Sequence, residues 1–380
     1  MPARLRRRDR TRVLMTADTV GGVWQYALDL ARGLSEAGVS TRLAVLGPGP
    51  SARQALDARA IPGVTLIDTG LPLDWTAESP DDVLQAGAAV AALAQESGAD
   101  IVHLNAPALA AGAAFCAPVV AVCHSCVATW WEAVRPGPLP PDFRWRTDLV
   151  RRGYAAADAV VAPTRAFGEA TLRTYGLARA PTVVHNGRHL APAPHAASAP
   201  NEPFVFTAGR LWDDGKNVAA LDRAAARLAA PVLVAGPSQA PHGGSVTLSH
   251  VKVLGTLSGP EVAGYLAAKP VFASVARYEP FGLAVLEAAQ AGCPLVLSDI
   301  PTFRELWGGA AVFVAPHDDA AVAAALEGLL RDSEERARAG AAARERAGRY
   351  TVAAMTTGVL GVYRDLLAAR TARVLAEAAA

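Results

Sequence analysis

Along most of the chain, short apolar runs alternate with longer stretches whose apolar residues recur every three or four positions. The short runs predict buried parallel strands and the longer ones amphipathic helices, so the pattern is that of an α/β protein. In the first half "RVLMTA" predicts a strand, "VWQYALDLARGLSEAG" a helix ended by Gly38, and "STRLAVLG" the next strand. "DIVHLN", "ALAAGAAF" and "PVVAVCH" then predict strand, helix and strand, with "AVVAPT" a further strand. Around residue 190 the periodicity stops in "HLAPAPHAASAPNEP", whose Pro, Ala and Ser content is that of a linker. It restarts with strand "FVFTAG", helix "NVAALDRAAARLA", and strands "PVLVAG" and "HVKVLG". Helix "PEVAGYLAA", strand "VFASVA", helix "LAVLEAAQAG" and strands "PLVLS" and "AVFVAP" follow.

Two doubly wound α/β domains facing across a cleft are therefore expected, the first over residues 13–188, a linker over 189–203 and the second from 204. The length of 380 residues agrees, since it exceeds what one core usually holds. Open parallel sheets bind ligands beyond the carboxyl ends of their strands, so motifs at those ends carry the functional reading.

Charge changes this picture only locally. The 36 basic and 35 acidic residues nearly cancel, which argues against a broad nucleic-acid-binding face. Residues 1–12, however, hold six arginines against Asp9 alone. They read as a flexible basic tail, with contact to an anionic membrane surface as the alternative. The tail leads into "TRVLMTADT", too short and polar for a secretory signal core, and the uncharged run at 106–123 is broken by Pro107, Gly112 and Pro118. The expected location is cytoplasmic, peripheral at the membrane if the tail binds lipid. Four cysteines are too few for a disulfide framework. The pair Cys123 and Cys126 in "CHSC" reads either as a redox dithiol or as reduced, buried thiols.

Several strand ends carry chemistry. In "TADTVGG", Gly21 and Gly22 let backbone amides approach an anion at a helix start, although an empty tight turn has the same sequence. His124 ends "PVVAVCH" and faces the crevice, where it could bind a hydroxyl or a phosphate; His103, inside a strand, reads as core. The segment "SCVATWWEAVRPGPLPPDFRWR" reads as a loop. Its Trp130 and Trp131, with Arg135, offer either an acceptor platform or loop packing. In "GRLWDDGKN", Arg210 and Lys216 suit a pyrophosphate clamp, and Lys216 is one of only three lysines, so it is not the chain's default cation. A solvated surface pair has the same spelling. "RYEPFGLAVLE" places Glu279 in a loop and Glu287 two turns into the following helix, around the free amides of Phe281, Gly282 and Leu283.

The stretches "GGVWQYALDLARGL", "DIVHLN", "AVCHS", "VVHNGR", "GRLWDDGKN", "VKVLGTLS", "YEPFGLAVLEAAQAGCPLVLSD" and "RYTVAAMTTGVLGVYRDLL" together resemble the retaining glycosyltransferases of family four, nearly end to end. The resemblance implies the GT-B fold, in which two Rossmann-like domains face each other. It further implies a second domain over 204–354 that binds the nucleotide sugar, and a last helix over 355–380 that crosses back to the acceptor-binding first domain. It gives Glu279 the donor sugar's hydroxyls and Glu287 the ribose. The amides of Phe281, Gly282 and Leu283 would meet sugar and phosphate, Arg210 and Lys216 the pyrophosphate, and Leu257 the base. Gly21 and Gly22 would close over the pyrophosphate, and His124 would lie near the reacting centre. Where the family has Ala-Asp before one strand and Pro-Ser after it, this chain has Lys269-Pro270 and Val275-Ala276.

The implied reaction is metal-independent, cofactor-free hexosyl transfer from a nucleotide diphosphate sugar, UDP-glucose or a related UDP-sugar first, to a glycan, lipid or small-molecule hydroxyl. No aspartates stand in the D-x-D spacing that holds a metal in many transferases. Two rivals stand beside it. A dinucleotide-dependent oxidoreductase wants a G-x-G-x-x-G fingerprint that the chain lacks. A catalytically silent nucleotide-sugar binder is opposed by the presence of Glu279, Arg210 and Lys216.

Overall fold

The computed structural model of the chain describes residues 10–190, 199–240 and 243–379. Most of the basic start, up to Asp9, and most of the linker, residues 191–198, lie outside the described residues. The first domain runs β1 (Arg12–Asp18), α1 (Gly22–Glu36), β2 (Ser40–Leu46), α2 (Ala52–Arg59), β3 (Val64–Asp68), α3 (Pro80–Glu96), β4 (Ile101–Leu104) and β5 (Val119–Val122). It continues with α4 (Val127–Val134), α5 (Arg144–Ala156), β6 (Ala159–Ala162), α6 (Arg165–Tyr175) and β7 (Thr182–Val183). The second runs β8 (Val205–Ala208), α7 (Val218–Ala225), β9 (Val232–Ala235), β10 (Lys252–Gly255), α8 (Gly259–Ala267), β11 (Val271–Ser274) and α9 (Leu283–Ala291). After it come β12 (Leu295–Ser298), α10 (Pro301–Trp307), β13 (Val312–Val314), α11 (Asp319–Arg331), α12 (Ser333–Ala347) and α13 (Val352–Ala379).

Both sheets are parallel throughout the described residues, in the orders β3-β2-β1-β4-β5-β6-β7 and β10-β9-β8-β11-β12-β13. Helices cover both faces, which is why the central strands read as unbroken apolar runs: β4 and β5 are buried at every position. Exposure explains what the pattern does not announce. No residue of β3 is fully buried, α2 buries only Ala58, and α12 buries only Gly340, Ala343 and Ala347, so none of them carries a legible apolar stripe.

Two expectations are corrected. The helix expected in "ALAAGAAF" is a single 3₁₀ turn over Pro107–Ala110, because Gly112 turns the chain away at φ +90°. The segment expected as a loop after His124 is largely helical, forming α4 and the start of α5.

The last helix starts at Val352 and returns to the first domain, where Val352, Met355, Val359 and Tyr363 join the core under α1. Its approach is so close that a Cβ at Gly187 would lie 2.2 Å from the Thr351 carbonyl oxygen, so glycine is required there. By length and composition the stretch Ser333–Ala378 is long and apolar enough to cross a membrane. In this fold its middle is spent on the first domain instead. Tyr363 meets the wholly buried His103 at 2.7 Å through Nδ1, and the Tyr26 hydroxyl lies 3.4 Å from the other ring nitrogen. His103 is thus a core residue with both nitrogens engaged. Tyr363→Phe removes one partner and leaves a buried nitrogen unsatisfied, which should cost about 1–3 kcal/mol in urea unfolding. A change below about 0.5 kcal/mol would show that the returning helix is not held there.

Candidate active site

Strand order reverses between β1 and β4 in one sheet and between β8 and β11 in the other, and at such switch points the loops diverge and leave a crevice. The loops after β1, β5, β8 and β11 carry Gly21 and Gly22, His124, Arg210 with Lys216, and Glu279. All of these line one cavity of about 510 Å3 between the domains, together with Leu257, Phe281, Gly282, Leu283, Glu287 and Arg188. That volume is within the range of small-molecule sites.

Three helices, α1, α7 and α9, begin at this cavity, and none has a side-chain cap. The first amides of α1 and α9 have no side-chain partner among the described residues, in α7 the Ala220 amide turns back to the Asn217 carbonyl, and the three dipoles favour an anion. Gly282 precedes α9 at φ +90°, a conformation that resists any side chain, and a Cβ there would crowd Phe303 at 3.2 Å. Asn217 precedes α7 and donates instead to the carbonyls of Val275 and Pro316, pinning that loop to the ends of neighbouring strands.

The cations converge on the same place. Lys216 Nζ lies 2.5 Å from Glu279 Oε2, and Arg210 donates to Asp213 at 2.9 Å while its Nε has no protein partner among the described residues. Burial pushes the Asp213 carboxyl up, but Arg210 and Lys216 outweigh it and hold it below the usual range. A Cβ on Gly21 would sit 3.3 Å from the Arg210 guanidinium, so the glycine loop of the first domain reaches the arginine of the second.

The loop bearing Glu279 is gripped by the first domain on both sides. The Tyr278 hydroxyl meets Thr129 Oγ1 at 2.9 Å and accepts from the Cys126 amide, and Thr164 donates to the Pro280 carbonyl at 3.0 Å. Nearby, Glu305 accepts the amides of Arg165 and Ala166 at the start of α6, each at 2.8 Å. Arg188 completes the closure: Nε donates to Glu287 at 2.5 Å and a terminal nitrogen to Asp29 at 2.9 Å. Burial works against the Arg188 charge, but the two carboxylates more than offset it and raise its pKa.

His124 borders the cavity, and burial holds its imidazole down to about 4. Burial, with His124 adding and Asn105 opposing, holds His103 down to about 3. Trp130, Trp131 and Arg135 are absent from the lining. Trp130 donates to Asp213 at 3.0 Å, Arg135 pairs with Asp214, and Trp131 donates to the Gly137 carbonyl. Trp130 and Arg135 clasp α4 to the loop of Arg210 and Lys216, and Trp131 packs within its own segment against Phe143, so the loop-packing alternative accounts for their contacts. Cys123 is buried, takes a 2.8 Å hydrogen bond from Tyr154, and is pushed up to about 12 by burial; Cys126 is half-buried and also raised by burial, and the two thiols of "CHSC" are not joined, which favours the reading as reduced thiols. Asp29, Asn105, Arg188, Asp213 and Tyr278 were not singled out by the sequence. All five stand within the stretches quoted above, but each meets a partner that lies far along the chain.

The comparisons agree with this layout. A family model described as Glycosyltransferase Family 4 matches residues 20–191, and one described as Glycosyl transferases group 1 matches residues 195–346. Glycogen synthase of Mycobacterium tuberculosis is 39% identical over 101 residues, 26% of this chain and 24% of that protein. Phosphatidyl-myo-inositol mannosyltransferase of Mycolicibacterium smegmatis is 35% identical over 120 residues, 31% of each chain. The match thus spans about a quarter to a third of those curated relatives. Among solved structures, sucrose-phosphate synthase from Thermosynechococcus elongatus superposes with a TM-score of 0.76 at 18% identity, covering 95% of this chain and 100% of that one. HepE from Anabaena, solved with UDP-glucose, gives 0.72 at 21% identity, covering 94% and 100%. The fold is GT-B.

Arg188→Met leaves the half-buried Glu287 without its cation and the buried Asp29 with only Arg32, at 3.3 Å, and should destabilise the chain by about 3 kcal/mol in denaturant unfolding. Acid should also unfold the protein through its histidines. Between about pH 6.5 and 4 the unfolded chain binds protons that folded His103 and His124 refuse, so stability falls as pH falls through that window. Asp74, raised to about 6 by burial, works in the opposite direction, so the test is a difference. At pH 5, proton uptake on unfolding should be lower by about one in His103→Gln than in the wild type.

Proposed function

This chain belongs to glycosyltransferase family 4, and we propose that it transfers a hexosyl group from a nucleotide diphosphate sugar to a hydroxyl acceptor, with retention of configuration and without a metal ion. UDP-glucose or a related UDP-sugar is the preferred donor, a choice supported by the UDP-glucose in HepE. The observation that carries the reading is the Lys216–Glu279 pair beside Arg210 at the unspent start of α9.

Breaking the bond between the sugar and the diphosphate leaves negative charge on the departing oxygen and positive charge on the sugar ring. Arg210, Lys216 and the first amides of α9 take up the negative charge; at 4 Å and an effective dielectric near 20, each unit charge contributes about 4 kcal/mol. A diphosphate that draws Lys216 toward itself frees Glu279 to accept the hydroxyls of the sugar. Glu287 holds the ribose from one oxygen while Arg188 keeps the other, Leu257 borders the base, and Gly21 and Gly22 cover the phosphates. The acceptor hydroxyl attacks from the face the nucleotide leaves, and its proton passes to the departing phosphate oxygen. The acceptor is a glycan, lipid or small molecule; the mannosyltransferase relative, whose name includes a phosphatidylinositol, favours a lipid. A cytoplasmic location, with the basic start touching an anionic membrane, goes with this choice.

A thermal-shift screen of UDP-, GDP- and ADP-sugars tests the donor. A ligand at a hundred times its Kd should add about 2.7 kcal/mol. Glu279→Ala should keep that shift and lose about a hundredfold or more in turnover, whereas Glu287→Gln should mainly weaken donor binding. Wild-type turnover in Glu279→Ala, or no shift with any sugar, would overturn the proposal.

A further inference from the structure

His124 borders the cavity, and a histidine in that place has two opposite uses. Carrying a proton on the nitrogen that faces the cavity, it would bind a phosphate oxygen; bearing a lone pair there, it would bind a hydroxyl. The choice depends on what the other nitrogen does.

Nε2 of His124 lies 2.8 Å from Oδ1 of Asn105. The orientation of that amide is set from its far side, where Nδ2 donates to the Thr16 carbonyl oxygen at 2.6 Å. A carbonyl oxygen can only accept, so the amide nitrogen must face Thr16 and the amide oxygen must face His124. Turning the amide over would set two oxygens against each other. The Asn105 main chain is held as well, its amide donating to Thr16 Oγ1 at 2.9 Å. Thr16 and Asn105 are buried where β1 and β4 part. An amide oxygen facing Nε2 requires a proton there, and a neutral ring then has none left for Nδ1. No hydrogen bond ties Nδ1 to any of the described residues. The ring is kept from turning by Tyr26, whose ring meets it edge-on at 4.5 Å between centroids, and Tyr26 is in turn within reach of His103.

We propose that Asn105 is a positioning residue that fixes His124 as the Nε2–H tautomer, so that the cavity meets a bare Nδ1 lone pair which takes a substrate hydroxyl and repels a phosphate oxygen. His124 is then neither a cationic phosphate ligand nor a general acid. The inference rests on the nucleotide-sugar reading only for the identity of the substrate, since the tautomer is a property of the free protein.

Nitrogen-15 NMR of the full chain labelled at histidine, with His124 assigned by His124→Gln, reads the tautomer directly. Free wild type should show a neutral ring protonated at Nε2 throughout pH 6–8. A ring protonated at Nδ1, or an imidazolium at pH 7, would overturn the proposal without reference to any substrate. In Asn105→Asp the new carboxylate faces both His124 and the Thr16 carbonyl, so His124 should become an imidazolium at pH 7; in Asn105→Ser the two tautomers should mix. Adding UDP-glucose should move the Nδ1 resonance and adding UDP alone should not. A shift with UDP alone, of the kind an N–H donor gives, would also overturn it. Loss of the lock should lower kcat/KM by about five- to tenfold, as for one hydrogen bond. UDP-glucose that fails to bind at all counts against the donor reading, while the tautomer still decides this one.

Discussion

A buried guanidinium shared by two carboxylates from different domains is the interaction on which the closed cleft depends. Arg188 leaves the first sheet just before the linker and lies between Asp29 of α1 and Glu287 of α9, with its side chain only 10% exposed. Desolvating three charges is costly, and the arrangement holds only because each carboxylate has its cation. The same residue anchors the chain where it crosses domains, since its carbonyl accepts from Gln290. A single side chain therefore fixes α1, α9 and the start of the linker together. The glycine loop that opens α1 and the helix start that opens α9 are brought face to face as a consequence.

Around that closure the site is organised by unspent hydrogen-bonding capacity. Uncapped helix starts, Arg210, whose Nε has no partner among the described residues, and a lysine held by Glu279 all line one cavity. In a protein interior such groups usually find partners within the chain. Gathered here, they suit an anionic ligand. Trp130 adds a second function to the same loop: by donating to Asp213, which also binds Arg210 and the Gly215 amide, it ties the position of the cavity-lining arginine to contact between the domains.

The first domain contributes a different kind of preorganisation. Tyr363 on the returning helix, His103, Tyr26, His124 and Asn105 form a contiguous polar and aromatic file from the core to the cavity wall. Burial keeps both imidazoles neutral, so the file transmits orientation rather than charge. The last helix of the chain thereby supports a residue that borders the cavity.

The sequence by itself determined the α/β class, the two-domain division, and the strand-end motifs at Gly21, His124, Arg210, Lys216, Glu279 and Glu287. Each is written locally, in apolar runs two helical turns or one strand long and in glycines next to helix starts. Exposed elements such as β3 and α12 left no such trace, and the segment after His124 hid α4 behind its prolines and aromatics. What only the tertiary structure decided is pairing. Arg188 stands 159 residues from Asp29 and 99 from Glu287, and Trp130 stands 83 from Asp213. No local pattern encodes which distant group a side chain will meet, because that choice is made by how the two sheets face each other. The same holds for the His124 proton, whose place is set by a carbonyl on another strand.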